Sequence, residues 1–150
     1  MRVLVQRSLD SSVSVDNKII GEIDKGLVLF VGFTDGDDIK DIDYMVKKVV
    51  NLRIFDDENH IMNKSVLDTD GEILSISQFT LYADSKKGTR PSYAKALRAD
   101  EANKLYELFN EKLKEFVYVE TGQFGADMLV SIKNDGPVTI LLESGKANEA

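Results

Sequence analysis

Two polar segments of the chain carry residue types that could do chemistry at a fixed site. The first spans residues 75–84, which begin as an alternating strand and set Ser77, Gln78 and Thr80 together at its end. Side chains at a strand end are well placed for binding or catalysis, because a rigid element aims them. Serine and threonine are also ordinary residues on the polar face of a strand, so the local pattern leaves both interpretations open.

The second segment spans residues 134–139 and contains Gly136 and Pro137 between two apolar stretches. Asn, Asp, Gly and Pro are typical turn residues, because they accept or fix unusual backbone dihedrals. Only about 5–6% of X-Pro bonds in folded proteins are cis, so the local sequence favours a trans Gly136–Pro137 bond. Composition alone therefore indicates an ordinary turn at this place.

Most of the common catalytic signatures are absent from the sequence. Cysteine does not occur, which excludes disulfides, thiolate catalysis and cysteine-ligated zinc. The single histidine, His60, follows the polar residues 56–59, where we expect a solvated side chain. No H-E-x-x-H, G-x-S-x-G, P-loop or dinucleotide-binding fingerprint is present. We therefore predict a protein without a metal or a cofactor.

The net charge of −7 argues against a protein that coats nucleic acid, since such proteins carry broad basic surfaces. An acidic protein can still grip one end of an RNA through a small basic patch. The richest candidate patch contains Lys86, Lys87 and Arg90, and Lys95 and Arg98 follow it. The alternative is a solvated loop, which charge alone favours.

The elements that position these segments are predicted to be mainly strands. Short apolar patterns predict strands at residues 3–7, 13–15, 18–23, 27–33, 72–81, 128–133 and 138–143. Two amphipathic helices are predicted, one capped near Asp37 or Asp38 with an apolar stripe from Ile39, and one over residues 100–116 with Phe116 facing inward. We predict an α/β fold, a single domain of mixed, largely antiparallel β-sheet covered by two main helices. Residues 144–150 are predicted to be a frayed tail.

The start of the chain holds only three successive apolar residues, at positions 3–5. This stretch is too short for the core of a signal peptide, and no other stretch approaches the length of a membrane span. The absence of cysteine suits a reducing compartment. We therefore expect a cytoplasmic protein that makes no contact with a membrane.

Together, the two polar segments resemble the hallmarks of the D-aminoacyl-tRNA deacylase (D-tyrosyl-tRNA deacylase) family. One hallmark is Ser-Gln-Phe-Thr at residues 77–80, and the other is the Gly-Pro motif within residues 134–139. Further matches occur in the expected order: Gln6-Arg7, Gly21-Glu22-Ile23, Arg53-Ile54-Phe55, Met62-Asn63, Lys87-Gly88-Thr89-Arg90-Pro91-Ser92 and Phe124-Gly125-Ala126-Asp127-Met128. Tyr93, where phenylalanine is common, is one of several departures, and none of them touches the two hallmarks.

The resemblance implies both an activity and an assembly. Family members hydrolyse the ester bond of D-aminoacyl-tRNA and release the free D-amino acid and the tRNA, as chiral proofreading in translation. The resemblance also implies a homodimer with active sites at the subunit interface, where each site takes the aminoacyl-tRNA 3′ end. In the family the Gly-Pro bond is cis, and the motif of one subunit reaches into the pocket of the other.

The matching motifs also imply which residues form the site. The catalytic residues would be Ser77, Gln78, Phe79 and Thr80. The substrate-binding residues would be Gly136, Pro137, Arg7, Phe124, Ala126 and Met128. The residues near the tRNA backbone would be Lys86, Lys87 and Arg90. Within this set, Arg7 would help to orient the Gly-Pro motif.

An aminoacyl ester is already activated, so its hydrolysis needs positioned water and a stabilised oxyanion rather than a strong nucleophile. Backbone N–H groups can stabilise the oxyanion, and loss of one such donor in other enzymes costs roughly 3–4 kcal/mol. We hypothesise that amides around Phe79 and Thr80 do this, while the ribose 2′-OH assists the water. Thr80 is the alternative as a covalent nucleophile, but the sequence offers it no recognisable base.

Selection of the D-isomer is expected to work by exclusion. A backbone wall at Gly136 and Pro137 would leave room for a hydrogen on one side of the α-carbon and clash with a side chain there. Glycyl-tRNA, which has no side chain to reject, should then be cleaved too. Two other functions stay open: a non-catalytic binding module, and an enzyme that edits L-aminoacyl or N-acylated esters.

Overall fold

The computed structural model describes residues 1–145. The strands in this part of the chain are β1 (Arg2–Ser8), β2 (Ser11–Val15), β3 (Lys18–Ile23), β4 (Gly26–Gly32), β5 (Phe55–Asp56), β6 (Met62–Lys64), β7 (Glu72–Ser77), β8 (Val119–Thr121), β9 (Leu129–Ser131) and β10 (Asn134–Glu143). The helices are α1 (Ile39–Asn51), α2 (Ala99–Lys114) and a short 3-10 helix, Phe79–Tyr82. Strands β5, β6 and β8 were not predicted, because two or three residues are too few to show a periodic pattern.

The central sheet has five strands in the order β10-β1-β4-β7-β8. Strand β1 is antiparallel to both β10 and β4, whereas β4, β7 and β8 run parallel to one another. The β4–β7 pairing runs from Gly26 opposite Glu72 to Val31 opposite Ser77. Because the two strands are parallel, their carboxyl ends meet at the same edge of the sheet.

The two faces of this sheet are covered by different elements. On one face, Leu27 and Leu29 of β4 join Ile42 and Met45 of α1 and Phe109 of α2 in the larger apolar core. On the other face, apolar residues of the sheet meet the second, three-stranded sheet of order β3-β2-β9. The smaller apolar core between the two sheets consists of Val13, Ile23, Val28, Leu74 and Ile76. The predicted mixed α/β fold, with two main helices and mostly antiparallel pairing, is confirmed.

Helix α1 begins where a cap was predicted. The side chain of Asp38 accepts a hydrogen bond from the Lys40 amide at 2.9 Å, and the Asp41 side chain accepts one from the Asp38 amide at 3.0 Å. This reciprocal pair satisfies two N–H groups that the helix leaves free. The prediction was wrong for Ile39 and Phe116, which are each 50% exposed. Ile39 is the first residue of α1, and Phe116 lies beyond the end of α2 and so leaves its buried face.

The strand predicted over residues 72–81 is shorter than expected. Strand β7 ends at Ser77, the Gln78 amide donates to the carbonyl oxygen of Val31 at 2.8 Å, and the chain then turns into the 3-10 helix. The turn brings the Gln78 backbone against Gly32, where an added Cβ would lie 2.9 Å from the Gln78 oxygen. The break therefore follows from a close approach between two neighbouring strand ends.

The segment predicted as a plain turn at residues 134–139 belongs to β10. Its pairing with β1 shifts register, since Gln6 lies opposite Thr139 and Ser8 lies opposite Asn134. Proline has no N–H to donate to a strand neighbour, and such residues are confined to edges and bulges. The Gly136–Pro137 bond is cis. The trans bond favoured by local sequence is therefore wrong, and the cis bond implied by the resemblance is confirmed.

The end of the described chain is attached to its beginning. The Ser144 amide donates to the Met1 carbonyl oxygen at 2.9 Å, and the Ser144 hydroxyl donates to Asp41 at 2.6 Å. Of the predicted frayed tail, residues 144–150, the last five lie outside the described residues. No helix within the described residues is long and apolar enough to cross a membrane.

Candidate active site

A cavity of about 620 Å³ opens at the edge of the central sheet where β4 and β7 end. One wall comes from Val31, Gly32 and Phe33 at the end of β4, and from Ser77 and the residues that follow β7. Of the predicted site residues, those that line it are Ser77, Gln78, Phe79, Phe124, Ala126 and Met128. Two segments that are far apart in sequence therefore line one cavity.

Ser77, Gln78 and Phe79 of the first hallmark line the cavity, whereas the predicted catalytic residue Thr80 is exposed just beyond them and does not line it. The Gln78 side chain is half-buried, and its Nε2 donates to Thr80 Oγ1 at 2.5 Å. Within residues 1–145, the amides of Phe79 and Thr80 have no hydrogen-bond acceptor, because they are the first N–H groups of the 3-10 helix. Two free backbone donors thus lie beside the hydroxyl that Gln78 orients.

Residues 124–128, which also line the cavity, are supported by contacts with neighbouring elements. The Gly122 amide donates to the Ser75 carbonyl oxygen at 3.2 Å. The Tyr106 hydroxyl of α2 donates to the same oxygen at 2.7 Å, and the Tyr106 ring lies 6.0 Å from that of Phe124. Burial raises the pKa of Tyr106, which keeps its hydroxyl protonated as a donor. Helix α2 therefore supports both the end of β7 and the Phe124 wall.

Gly136, Pro137 and Arg7 do not line this cavity. Gly136 and Pro137 are exposed on β10, at the far side of β1 from β4. Arg7 holds their segment in place: its Nε donates to the Asp135 carbonyl oxygen at 3.0 Å, and its Nη1 donates to that of Ile54 at 2.8 Å. Within one chain, the two hallmark motifs are therefore separate.

The backbone conformation and the close neighbours of residue 136 require a glycine there. Its φ is +136°, a conformation that side chains other than glycine rarely adopt. An added Cβ would also lie 2.7 Å from Val138 Cγ2 and 3.3 Å from Arg7 Nη2. Asn134 braces the same segment, because its Oδ1 accepts a hydrogen bond from the Val138 amide at 2.8 Å. The exposed Gly-Pro unit is thus held by side chains on both sides of it.

The basic loop lies beside the cavity and does not line it. Lys86, Lys87 and Arg90 are exposed, whereas Tyr93, just after the loop, reaches the cavity. The predicted solvated position of His60 agrees with its exposure, and it does not line the cavity either. Within residues 1–145, no three His, Cys, Asp or Glu side chains come together as metal ligands would.

A family model described as D-Tyr-tRNA(Tyr) deacylase matches residues 4–143. This range contains both hallmark motifs and almost every element of the fold. The chain belongs to the D-Tyr-tRNA(Tyr) deacylase family. The predicted family membership is confirmed, and so is the predicted enzyme class, a hydrolase.

Similar proteins support this family assignment. D-aminoacyl-tRNA deacylases of Clostridium novyi (strain NT) and Clostridium tetani (strain Massachusetts / E88) are each 58% identical over 147 residues, which are 97% of this chain and 99% of each relative. A solved structure described as c-Myc DNA Unwinding Element Binding Protein is 40% identical, with a TM-score of 0.93 over 97% of this chain and 100% of its own. A probable eukaryotic D-amino acid tRNA deacylase shares the fold at 17% identity, with a TM-score of 0.80 over 94% and 97% of the two chains.

Several residues that line the cavity of this deacylase-family chain were not identified from the sequence. Val31 and Gly32 at the end of β4, and Phe33 directly after it, line the cavity together with the hallmark after β7. Recognising that β4 and β7 are parallel neighbours would have found it, because parallel strands end at one edge. Tyr93 and the start of α2 were missed as well. The position of Tyr93 directly after the matched segment Lys87–Ser92 could have indicated it, whereas the start of α2 carries no motif.

Proposed function

We propose that this chain hydrolyses the ester bond of D-aminoacyl-tRNA, releasing the free D-amino acid and the tRNA. The observation that carries the proposal is the pair of free amides at Phe79 and Thr80, beside a cavity of about 620 Å³, in a chain of this family. A cavity of that size accommodates a nucleoside with an attached amino acid, since small-molecule sites typically span about 300–1,000 Å³. The 3′-terminal adenosine occupies it, and the aminoacyl ester lies beside Thr80.

The reaction needs no titratable protein group in this proposal. Water attacks the ester carbonyl with assistance from the ribose 2′-OH, and the developing oxyanion accepts hydrogen bonds from the Phe79 and Thr80 amides. Donors of this kind are effective because they are already oriented when charge develops. The C–O bond to the ribose breaks, and the 3′ oxygen leaves with a proton. No metal takes part in any step.

Thr80 acts in this proposal by positioning. Its Oγ1 accepts a hydrogen bond from Gln78 Nε2 at 2.5 Å, so its own proton is free to be donated to the substrate or the water. A nucleophilic threonine needs a neighbouring base. No ionisable side chain within residues 1–145 is hydrogen-bonded to the Thr80 hydroxyl, which supports the positioning role.

A second copy of the chain completes the site. Gly136 and Pro137 are exposed and do not line the cavity of their own chain, so they are free to enter that of a partner. Arg7 holds the segment from within its own chain, through Asp135 and Ile54. The proposal is therefore a homodimer with two interface sites, each of which uses the Gly-Pro unit of the partner.

Selection of the D-isomer follows from what this unit would exclude. Backbone atoms and a proline ring cannot rotate away as a long side chain can. Placed near the substrate α-carbon, Gly136 and Pro137 leave room for hydrogen and reject an L side chain. Glycyl-tRNA has nothing to reject and is also a substrate. This selection gives the chain its role in proofreading translation, in the cytoplasm.

The decisive experiment compares D-tyrosyl-tRNA, L-tyrosyl-tRNA and glycyl-tRNA with purified protein, with and without a metal chelator. The expected result is chelator-resistant hydrolysis of the D and glycyl esters and sparing of the L ester. Resistance of glycyl-tRNA under conditions that cleave the D-ester would contradict exclusion as the filter. Hydrolysis of the L ester alone would favour an editing enzyme instead.

Variants of the site distinguish hydrolysis from simple binding. Thr80→Ser keeps the hydroxyl and should retain most activity, whereas Thr80→Ala should lower kcat without abolishing it. Complete loss of turnover in Thr80→Ala, with normal substrate binding, would favour covalent catalysis. Folded wild-type protein that binds the RNA and spares every ester would establish the binding module in place of the hydrolase.

A further inference from the structure

Two aromatic side chains stand exposed at the mouth of the cavity. The rings of Phe79 and Tyr93 lie 5.2 Å apart, centroid to centroid, at 70° to each other, in an edge-to-face pair. Phe79 is 56% exposed and Tyr93 is 44% exposed. In an edge-to-face pair the edge of one ring covers only one face of the other, so the pair leaves the remaining ring faces uncovered. A preoriented aromatic surface therefore lies next to the proposed adenosine site.

The basic loop, residues 85–91, is anchored directly before Tyr93 of this aromatic surface. Asp84 and Ser92 close residues 85–91 into a loop by two mutual backbone hydrogen bonds, each of 2.8 Å. Tyr93 follows Ser92 directly. The Lys86 amide, which donates to the Asp84 side chain at 3.0 Å, holds the pKa of that carboxyl below its usual range. The ring and the loop thus share one anchored segment.

The cations of the loop are available for a ligand. Lys86, Lys87 and Arg90 form no ion pair within the part of the chain that the structure describes, although the chain carries a net charge of −7. Exposed aromatic rings beside free cations are the usual means of binding single-stranded nucleic acid, because bases stack on the rings while cations follow the phosphates. The same combination occurs here at the opening of the proposed site for the terminal adenosine.

We propose that Tyr93, supported by Phe79, stacks on the base of the nucleotide that precedes the 3′-terminal adenosine. The phosphate joining the two nucleotides then meets the cations of the loop, residues 85–91. This inference rests on the proposed function and extends it from one nucleotide to two. Stacking depends on ring faces and tolerates any base, so this second position adds affinity for a single-stranded end without selecting one tRNA.

The experiment uses three D-tyrosyl esters: that of adenosine, that of the dinucleotide CpA, and that of a dinucleotide whose first ribose is abasic. For wild-type protein, kcat/KM should rise from the adenosine ester to CpA, and most of the rise should be absent from the abasic ester. In Tyr93→Ala, the ratio of kcat/KM for CpA to that for adenosine should fall roughly tenfold to a hundredfold, the usual range for one stacked base. Tyr93→Phe keeps the ring and should keep the ratio.

Tyr118→Ala is the matched control, because Tyr118 is 57% exposed and lies outside the cavity. It should leave the ratio at its wild-type value. An unchanged ratio in Tyr93→Ala, or equal rates for the CpA and abasic esters, would overturn the stacking site. So would a change of molecular mass in light scattering for Tyr93→Ala, since the ring would then belong to a contact between copies. Failure of wild-type protein to hydrolyse even the adenosine and full-length tRNA esters would instead refute the proposed function, and this inference with it.

Discussion

Arg7 donates a hydrogen bond from Nε to the carbonyl oxygen of Asp135 at 3.0 Å, across 128 positions of sequence. The same guanidinium donates to the Ile54 carbonyl oxygen and lies 3.4 Å and 3.5 Å from the carboxylates of Asp135 and Asp56. Arginine suits this position because its planar group carries several donors in fixed directions. One side chain thus ties β1, the β5 region and the Gly-Pro segment together.

Replacing Arg7 by methionine should destabilise the protein by about 2–6 kcal/mol. The variant keeps an unbranched apolar stem but leaves the Asp135 and Ile54 carbonyl oxygens without donors, at about 1–3 kcal/mol for each such group. Urea unfolding measures the loss. Arg53→Met is the control, because Arg53 is exposed and, among residues 1–145, makes a single hydrogen bond, to the Asn63 carbonyl oxygen. Equal unfolding midpoints for the two variants would show that Arg7 is not the anchor.

Gly32→Ala should lower activity by displacing the strand end that precedes the 3-10 helix. Its Cβ would lie 2.9 Å from the Gln78 oxygen and 3.2 Å from Leu81 Cβ, so the Gln78 backbone must move. A displacement of about 1 Å in an active site can cost roughly a hundredfold in rate, and we expect a tenfold to hundredfold fall in kcat/KM for D-tyrosyl-tRNA.

The control for this substitution is Gly71→Ala, whose Cβ would lie 2.8 Å from Val66 Cγ2, away from the cavity. It should lower the melting temperature and leave kcat/KM at the wild-type value. If Gly32→Ala lost only stability and kept full kcat/KM, the position of Gln78 would not matter to the reaction.

Tyr82→Phe should make stability less sensitive to alkaline pH. Burial raises the pKa of Tyr82, so the folded state holds the phenolic proton more tightly than the unfolded state does. The stability from this difference is complete below about pH 10, where an unfolded tyrosine titrates, and is lost as pH rises further. Denaturant unfolding from pH 8 to pH 11 should show a shallower decline for Tyr82→Phe than for wild type. Parallel curves would contradict this assignment.

His60→Asn should leave catalysis unchanged, although histidine is the commonest acid–base residue in enzymes. His60 is exposed, does not line the cavity, and has a φ of +60°, which asparagine tolerates. We expect kcat/KM for D-tyrosyl-tRNA within about twofold of wild type. By contrast, Gln78→Ala removes the donor to Thr80 Oγ1 and should lower kcat markedly. A comparable loss of activity in the two variants would show that His60 takes part in the reaction.

Much of the fold was predictable because its signals are local. The cap of α1 at Asp38 depends on residues two and three positions away, and the buried run of β4 depends on its own apolar side chains. Features made by long-range contacts were not predictable in this way. Strand β7 stops at Ser77 because its neighbour Gly32 lies against the Gln78 backbone, which no pattern within residues 72–81 indicates.

The sequence by itself determined the class of fold, the family, and the two motifs that carry the proposed chemistry. Periodicity and residue type are properties of neighbouring positions, so one chain is enough to detect them. Only the tertiary structure decided that Phe124 and Ser77 line one cavity, that Tyr93 pairs with Phe79, and that Gly136 does not line that cavity. These relationships depend on strand order, register and parallel pairing, in which many distant contacts form together and no single segment specifies the result.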